Sequence, residues 1–102
     1  MATDQLEGHK LLIPPATVDL VRGSHPQLKR KIRAALEILT GDPETGKSLK
    51  DELSGLYSCR ISRFRIIYRI ASDNTIGVIA IGPRKIIYEE TYKIIKKENL
   101  KP

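Results

Sequence analysis

Alternating apolar and polar positions predict a β-hairpin near the middle of the chain. Residues 57–61 and 64–70 both follow the two-residue period of a strand, and Ser62-Arg63 lies between them as a two-residue turn. Such a turn fixes which residues face each other across the hairpin. The predicted pairs are Ile61 with Phe64, Arg60 with Arg65, Cys59 with Ile66, Ser58 with Ile67 and Tyr57 with Tyr68.

The predicted hairpin has one apolar face and one cationic face. The apolar set, which we expect to face the core, is Tyr57, Cys59, Ile61, Phe64, Ile66, Tyr68 and Ile70. The opposite set is Arg60, Arg65, Ile67 and Arg69. Like charges directly opposite in a sheet are destabilising, within the roughly 0.2–1 kcal/mol range of cross-strand pairs. We therefore interpret Arg60 and Arg65 either as splayed into water or as kept to bind an anion.

The chain before the hairpin predicts one short strand and two helices. Residues 9–13 (HKLLI) predict the strand, which a double proline closes because proline cannot donate ladder hydrogen bonds. Residues 16–21 predict one or two helical turns. Residues 26–39 predict a longer helix, because their apolar positions recur at spacings of three and four and form one stripe.

Residues at both ends of the longer helix support its predicted limits. Pro26 lies near its first position, Ser24 or His25 can cap it, and Gly41 is placed to cap its C-terminus. The positions outside the apolar stripe in its first half are basic: Lys29, Arg30, Lys31 and Arg33.

The chain after the hairpin predicts a turn, a central strand, an extended segment and a helix. These are residues 72–74, 75–81, 84–88 and 89–97. Gly82-Pro83 is predicted to break the strand, and Glu89 and Glu90 to lie at the positive end of the helix. The order β-α-α-β-β-β-α predicts an α+β fold: a small antiparallel sheet with two N-terminal helices packed on one face and a C-terminal helix. We expect a single domain over residues 1–102, with residues 1–8 disordered.

Composition narrows the class of partner. The 102 residues carry 18 Lys and Arg against 12 Asp and Glu, a net charge of +6 that favours an anionic partner. The single cysteine fits a reducing compartment, and no apolar run approaches the ~20 residues of a membrane span. We expect a cytoplasmic protein with no membrane partner.

One motif points to a nucleotide site but lies in the wrong context. Residues 41–48 (GDPETGKS) match the phosphate-binding loop G-x-x-x-x-G-K-[ST] literally. That loop follows a buried parallel strand and opens a helix, whereas here a helix precedes it and residues 45–55 are predicted to connect to an antiparallel hairpin. Asp42 and Glu44 would also repel phosphate. We therefore predict no nucleotide site there.

The remaining candidate residues are mostly basic. Cys59 lies on the core face and is interpreted as packing, and neither histidine has the spacing of a metal ligand. We predict no metal and no cofactor. The candidates for contact with an anion belong to the sheet or its bordering loops: Lys47, Lys50, Arg60, Arg63, Arg65, Arg69, Arg84 and Lys85, with Tyr88 four residues after Arg84. Arginine forks fit phosphate and tyrosine offers a stacking face, so these residues together indicate a nucleic-acid backbone.

Three stretches resemble the RelE/ParE superfamily of toxins from toxin–antitoxin modules. Residues 49–57 resemble its Leu-Lys-x-x-Leu-x-Gly-x-Tyr pattern, residues 60–68 its arginine-flanked hairpin, and Ile81-Gly82-Pro83-Arg84 followed by Tyr88 its Gly-His-Arg and late tyrosine. The sequence departs from the pattern at Ser62-Arg63, where Gly-Asp is usual, and at Pro83, where histidine is usual. The resemblance covers about residues 9–90.

The resemblance implies a ribosome-dependent mRNA endoribonuclease, in which the 2′-hydroxyl of the RNA attacks the adjacent phosphate. It assigns catalytic roles to Arg65 at the transition state, Arg84 at the phosphate and Tyr88 in stacking or proton transfer. It implies that the RNA is bound by Lys47, Lys50, Arg60, Arg63 and Lys85. The implied partners are a cognate antitoxin, the ribosome and mRNA.

Two alternatives stay open. The ParE branch shares the fold but poisons DNA gyrase, without nuclease chemistry. The chain can also be an inactive relative that only binds RNA or protein. The combination of Arg65, Arg84 and Tyr88 favours the RelE branch.

Overall fold

The computed structural model describes residues 10–71 and 74–100. These residues form five strands, three α-helices and two short 3₁₀ turns, which confirms the predicted α+β class. The strands are β1 (Lys10–Leu12), β2 (Lys47–Ser48), β3 (Tyr57–Ile61), β4 (Phe64–Ala71) and β5 (Thr75–Pro83), and the helices are α1 (Pro15–Arg22), α2 (Pro26–Gly41) and α3 (Arg84–Leu100). The 3₁₀ turns are Pro43–Thr45 and Asp51–Leu53. The predictions for residues 1–9 and 72–73 lie outside the described residues.

The five strands form one sheet in the order β1-β5-β4-β3-β2. All five predicted hairpin pairs are confirmed, from Ile61 with Phe64 to Tyr57 with Tyr68. The sheet is antiparallel except at β1, which pairs in parallel with β5. The sheet is thus mostly antiparallel, as predicted; the parallel pairing of β1 was not predicted, because the pattern of a three-residue strand does not specify its neighbour.

A β-bulge in β5 changes the face to which its residues point. Ile67 pairs with Ala80 and Tyr68 with Val78, so Ile79 is an extra residue in the ladder. Val78 packs towards α2, whereas Ile79 and Ala80 both pack towards α3, and Ile81 returns to the α2 side. The extra residue therefore shifts the alternation of the strand by one position.

The sheet is covered by helices on both faces. The core on the α2 side contains Ile32, Leu36, Leu39, Ile61, Ile66, Tyr68, Ile76, Val78 and Ile81. The smaller core on the α3 side contains Leu56, Ile67, Ile79, Ala80 and Ile87. The predicted cationic face is therefore not an open platform, because α3 packs over Ile67 and leaves only part of that face to the arginines.

The ends of the helices and of β5 differ from the prediction. His25 caps α2, with its Nδ1 accepting from the backbone N–H of Gln27 (3.2 Å), as expected. Gly41 is the last helical residue and Asp42 the cap, rather than Gly41. No helix within residues 10–71 and 74–100 is long and apolar enough to cross a membrane.

The prediction of an extended segment over residues 84–88 was wrong. β5 continues through Pro83, which pairs with Phe64, and α3 begins at Arg84 instead of at Glu89. The Arg84 backbone N–H donates to the Arg63 carbonyl (2.9 Å), so the hairpin turn satisfies the first donor of the helix. A proline just before the helix fits there because it ends the ladder without removing a needed donor. The positive end of α3 consequently carries Arg84 and Lys85, and not the two glutamates.

Candidate functional site

The hairpin turn lies against the start of α3. Ser62 has a positive φ of 53° and Arg63 does not, which is the pattern of a type II′ turn. The primed turn thus forms although neither residue is glycine, at a conformational cost for Ser62 of about 1 kcal/mol or more. Because the Arg63 carbonyl accepts from Arg84, the turn and the helix hold each other in place.

A cavity of about 400 Å³ lies between this turn and α3. Its lining residues are Arg60, Ser62, Arg63, Pro83, Arg84 and Lys85. It therefore brings together four of the eight residues predicted for the site, and every charged one is a cation. The first turn of α3 contains no acidic residue, so the positive end of the helix dipole adds to the same field.

Arg65 lies beside this cavity in the middle of the sheet. It pairs with Arg60 on β3 and with Gly82 on β5, where the missing side chain leaves room for Ile87 of α3. The side chain is half-buried, and its Nε is buried without a hydrogen-bond partner among the described residues. A buried donor left unpaired costs about 1–3 kcal/mol.

Arg69 provides a contrast on the same face of the same strand. Its guanidinium forms an ion pair with Glu98 of α3 at 3.5 Å. Within residues 10–71 and 74–100, no carboxylate lies within 4.0 Å of the Arg60, Arg65 or Arg84 side chains. The fold therefore supplies a counterion for Arg69 and leaves the three arginines at the turn end without one.

Tyr88 lies one helical turn after Arg84 and contacts β3. Its hydroxyl oxygen is 3.1 Å from the Ser58 Oγ, and either group can be the donor. Ser58 is buried and pairs with Ile67 on one side and Lys47 on the other. Ser58 was not among the predicted site residues, although the predicted register already placed it on the arginine face; its hydrogen bond depends on the position of α3.

The other two predicted lysines, Lys47 and Lys50, do not line the cavity. Lys47 is exposed on β2, and its pairing with Ser58 puts it in the same cross-strand row as the Tyr88 hydroxyl. Lys50 is exposed just before the second 3₁₀ turn, and it is not a lining residue of the cavity that the arginines line. The structure thus brings Lys47 onto the arginine face and leaves Lys50 at its margin.

Tyr68 holds the loop that precedes β2. Its buried hydroxyl donates to the Pro43 carbonyl (2.6 Å) and accepts from the Gly46 N–H (3.1 Å). Burial raises the pKa of Tyr68 to about 12, although the hydrogen bond from Gly46 opposes the shift. A Cβ at Gly46 would overlap the Tyr68 hydroxyl, so the glycine is required for this close approach.

This contact also accounts for the GDPETGKS motif. Gly46 packs against Tyr68, and Lys47 and Ser48 enter a strand instead of opening a helix. The backbone arrangement of a phosphate-binding loop is not formed here.

Cys59 packs against the core on the α2 side, as predicted, and is partly exposed. Burial raises the pKa of its thiol, and the positive charge of Arg65 partly opposes that shift. A raised pKa reduces the thiolate fraction, so the environment does not favour a nucleophilic cysteine.

Comparison with known families identifies the chain. Residues 17–88 match the family model described as the ParE toxin of the type II toxin–antitoxin system parDE. The chain belongs to this toxin family. Its membership confirms the resemblance to the RelE/ParE superfamily that the hairpin and the Arg84 region indicated. No curated protein matches the chain by sequence.

Solved structures of RelE toxins have the same fold. The free E. coli RelE toxin, a double mutant, is 16% identical with a TM-score of 0.70, and the match covers 91% of this chain and 99% of that one. The RelBE2 toxin–antitoxin complex of Mycobacterium tuberculosis gives 22% identity and a TM-score of 0.66, covering 76% of this chain and 99% of that one. The RelE–RelB complex of Pyrococcus horikoshii gives 24% identity and a TM-score of 0.63, covering 74% of this chain and 94% of that one.

Proposed function

We propose that this toxin is a ribosome-dependent mRNA endoribonuclease that inhibits translation, acting as one domain. The observation that carries this proposal is the state of Arg65. Its Nε is buried without an acceptor in the described part of the chain, and it lies opposite Arg60 with no carboxylate nearby. A phosphate oxygen would supply the missing acceptor and offset both charges through charge-assisted hydrogen bonds.

RNA can supply the attacking group for this reaction itself. Its 2′-oxygen attacks the adjacent phosphorus, the bond from phosphorus to the 5′-oxygen breaks, and the 5′-oxygen takes up a proton. The products are a 2′,3′-cyclic phosphate and a 5′-hydroxyl end. The protein must therefore align the strand, stabilise charge on the non-bridging oxygens and assist proton transfer, and the proposal calls for no cofactor.

The described side chains can divide these tasks. Arg65 and Arg60 would hold the non-bridging oxygens of the scissile phosphate, and Arg84 with Lys85 would bind it from the start of α3. Pre-aimed donors of this kind contribute about 10²–10³ in rate each. Arg63 in the turn would bind the RNA backbone on one side of the scissile phosphate. Lys47 and Lys50 would bind it on the other side.

The hydrogen-bonded pair of Tyr88 and Ser58 is the candidate for proton transfer. Their oxygens are 3.1 Å apart, which is hydrogen-bond distance, and Ser58 is buried at the side of the arginine row. Proton transfer of this type contributes about 10²–10⁴ in rate. Tyr88 also offers a ring on which a base can stack.

Induced expression tests the proposal directly. We expect primer extension on ribosome-bound messenger to show cuts at codon spacing in cells that express the wild-type chain. Arg65→Ala and Arg84→Ala should each reduce cleavage by about 100-fold or more. Arg69→Ala is the matched control, because Arg69 lies on the same strand and face but is paired with Glu98; it should cleave normally. Equal loss in all three variants, or intact messenger, would contradict the proposal.

A gyrase-directed toxin is the second candidate, and the ParE family match favours it. Such a toxin would inhibit growth through a protein contact, with DNA breaks that depend on gyrase. The same expression experiment separates the two, because the gyrase candidate predicts intact messenger and DNA breaks that a gyrase-resistant host suppresses.

We also propose that a cognate antitoxin neutralises the chain. The support is that similar folds have been solved as toxin–antitoxin complexes. The net charge of +6 predicts an acidic antitoxin segment over the arginine face. Coexpression of a short acidic reading frame beside the toxin gene should restore growth and copurify with the chain; failure of every neighbouring frame to do so would contradict this.

A further inference from the structure

A second cavity lies on the other side of the hairpin turn, next to α2. It measures about 550 Å³, and its wall includes Lys31, Arg63 and Phe64. Arg63 also lines the cavity beside α3, so the two cavities adjoin at the turn. Among the described residues, no carboxylate lines either cavity.

Lys31 lies where the cavity meets the turn. Its Nζ donates to the Ser62 Oγ (3.1 Å), which directs the ammonium group of α2 towards the tip of the hairpin. An ammonium has three N–H donors, so two remain for a ligand. Together with the Arg63 guanidinium, Lys31 supplies the charge for one phosphate on this side of the turn.

The rest of the wall suits a base better than a second phosphate. Phe64 is half-buried at the start of β4 and contributes an aromatic ring, and Leu28 adds apolar surface. Gln27 and His25 lie on the same wall. The Gln27 amide can donate and accept hydrogen bonds at a base edge, and the His25 Nε2, which the helix cap does not use, can donate one. Aromatic surface beside cations is the usual composition of a site for single-stranded nucleic acid.

We infer that this cavity binds one unpaired nucleotide of the RNA, adjacent along the strand to the phosphate held by Arg60 and Arg65. The base stacks on Phe64, its phosphate lies between Lys31 and Arg63, and the strand crosses the hairpin turn over Ser62. This inference rests on the proposed nuclease function and adds a contact surface on α2, which carries none of the residues assigned to catalysis.

RNA length provides the test. Binding is measured on the full chain with a single-stranded RNA of ten nucleotides and with a dinucleotide, both 2′-O-methylated so that the 2′-oxygen cannot attack. Fluorescence anisotropy reports the labelled ten-nucleotide RNA, and competition reports the dinucleotide. The variants are Phe64→Leu, which keeps apolar volume but removes the ring, and Lys31→Gln, which can keep the hydrogen bond to Ser62. Lys10→Gln, at the opposite end of the sheet, is the control.

For the longer RNA, Phe64→Leu should weaken binding about 10-fold, within the range for loss of one stacked base. Lys31→Gln should lower the slope of log affinity against log salt by about 0.7, the value for one single-strand phosphate contact. A dinucleotide has one phosphate, which Arg60 and Arg65 would hold, so Lys31→Gln should leave its binding unchanged. Phe64→Leu should weaken binding of the dinucleotide as well, because the adjacent base still reaches the ring, and Lys10→Gln should change nothing. A merely structural role of Lys31 would leave the salt slope unchanged.

The alternative outcomes are distinguishable. If Arg65→Ala weakens binding of both RNAs while Phe64→Leu and Lys31→Gln change neither, the second cavity is not an RNA site and the proposed function stands. If wild-type protein binds neither RNA, the inference fails, whereas the proposed function depends on the ribosome and is decided by cleavage of ribosome-bound messenger. Equal weakening of both RNAs by Lys31→Gln would also overturn the inference, because the two cavities would then not be separate positions along the strand.

Discussion

The two faces of the sheet are built from the same strands but carry different kinds of side chain. On the α2 side, β3 and β4 present an almost unbroken apolar surface to a helix with three buried residues, Ile32, Leu36 and Leu39. On the α3 side, the same two strands present buried Ile67 together with the arginines at positions 60, 65 and 69. One face of each strand therefore provides most of the apolar core, and the other holds charge at fixed positions.

The arginines on the α3 side fall into two groups, one with a counterion and one without. Arg69 has Glu98, whereas Arg65 and Arg60 have only each other in the described part of the chain. A stabilising arrangement would place a carboxylate at the turn end too. No described carboxylate lies at the turn end, although the sheet is well packed there too. A phosphate would supply the missing negative charge.

Adjacent residues Ile66 and Arg65 provide the largest test of this comparison. Ile66→Ala should lower the free energy of unfolding by about 2–5 kcal/mol, because a fully buried side chain leaves a cavity. Arg65→Ala should lower it by less, because its loss also removes an unpaired buried donor and a like-charge contact. Urea unfolding followed by circular dichroism measures both; equal losses would show that the two faces contribute alike.

Tyr68 tests the α2 side through its pH dependence. Tyr68→Phe should cost about 1–3 kcal/mol at neutral pH, because the Pro43 carbonyl and Gly46 N–H lose their partner. The pKa of Tyr68 in the folded state, about 12, lies above the ordinary tyrosine value of 10.0, so the folded state favours the protonated hydroxyl. That contribution is therefore complete below pH 10 and is lost as the pH rises to about 12.

The measurement compares urea unfolding of the wild type and of Tyr68→Phe at several pH values. Their difference in free energy of unfolding should narrow as the pH rises above 10. The titration of other tyrosines and lysines cancels in this difference. A constant difference across the alkaline range would show that the hydroxyl is not held protonated by the fold.

The smallest effect concerns the facing arginines. Arg60→Gln should raise the free energy of unfolding by about 0.2–1 kcal/mol at low salt, because it removes a like-charge cross-strand pair. The gain should shrink at high salt, where such repulsion is screened. Arg69→Gln is the control of opposite sign, since it breaks an exposed ion pair worth at most about 1 kcal/mol. A loss of stability in Arg60→Gln would mean that its charge is balanced within the protein.

The hairpin could be predicted from sequence because its information is local. A two-residue turn and strict alternation determine every pair from Tyr57 to Tyr68, and the structure has all of them. Helix α2 was predictable for the same reason, since Pro26, His25 and the apolar stripe lie within its own length. In both elements the neighbouring residues specify the structure without help from distant parts of the chain.

The start of α3 depends on contacts that no local pattern contains. Pro83 is held in the sheet by its pairing with Phe64, and Arg84 begins the helix by donating to the carbonyl of Arg63. Both partners lie about twenty residues earlier in the sequence. The contact of Tyr88 with Ser58 follows from that start, so the cations of the site could be predicted while their arrangement could not.

The extra residue in β5 has a consequence for how relatives are aligned with this chain. Because Ile79 shifts the alternation, the positions on its two sides belong to different frames of inward and outward residues. For a relative that lacks this extra residue, an alignment without a gap at this point would match buried positions correctly on one side and reverse them on the other. Gly82 and Arg84 come after the extra residue. The number of residues between Val78 and Gly82 therefore decides on which side of the sheet Arg84 lies. Insertion or deletion of one residue in that interval would therefore shift Gly82 from its pairing with Arg65.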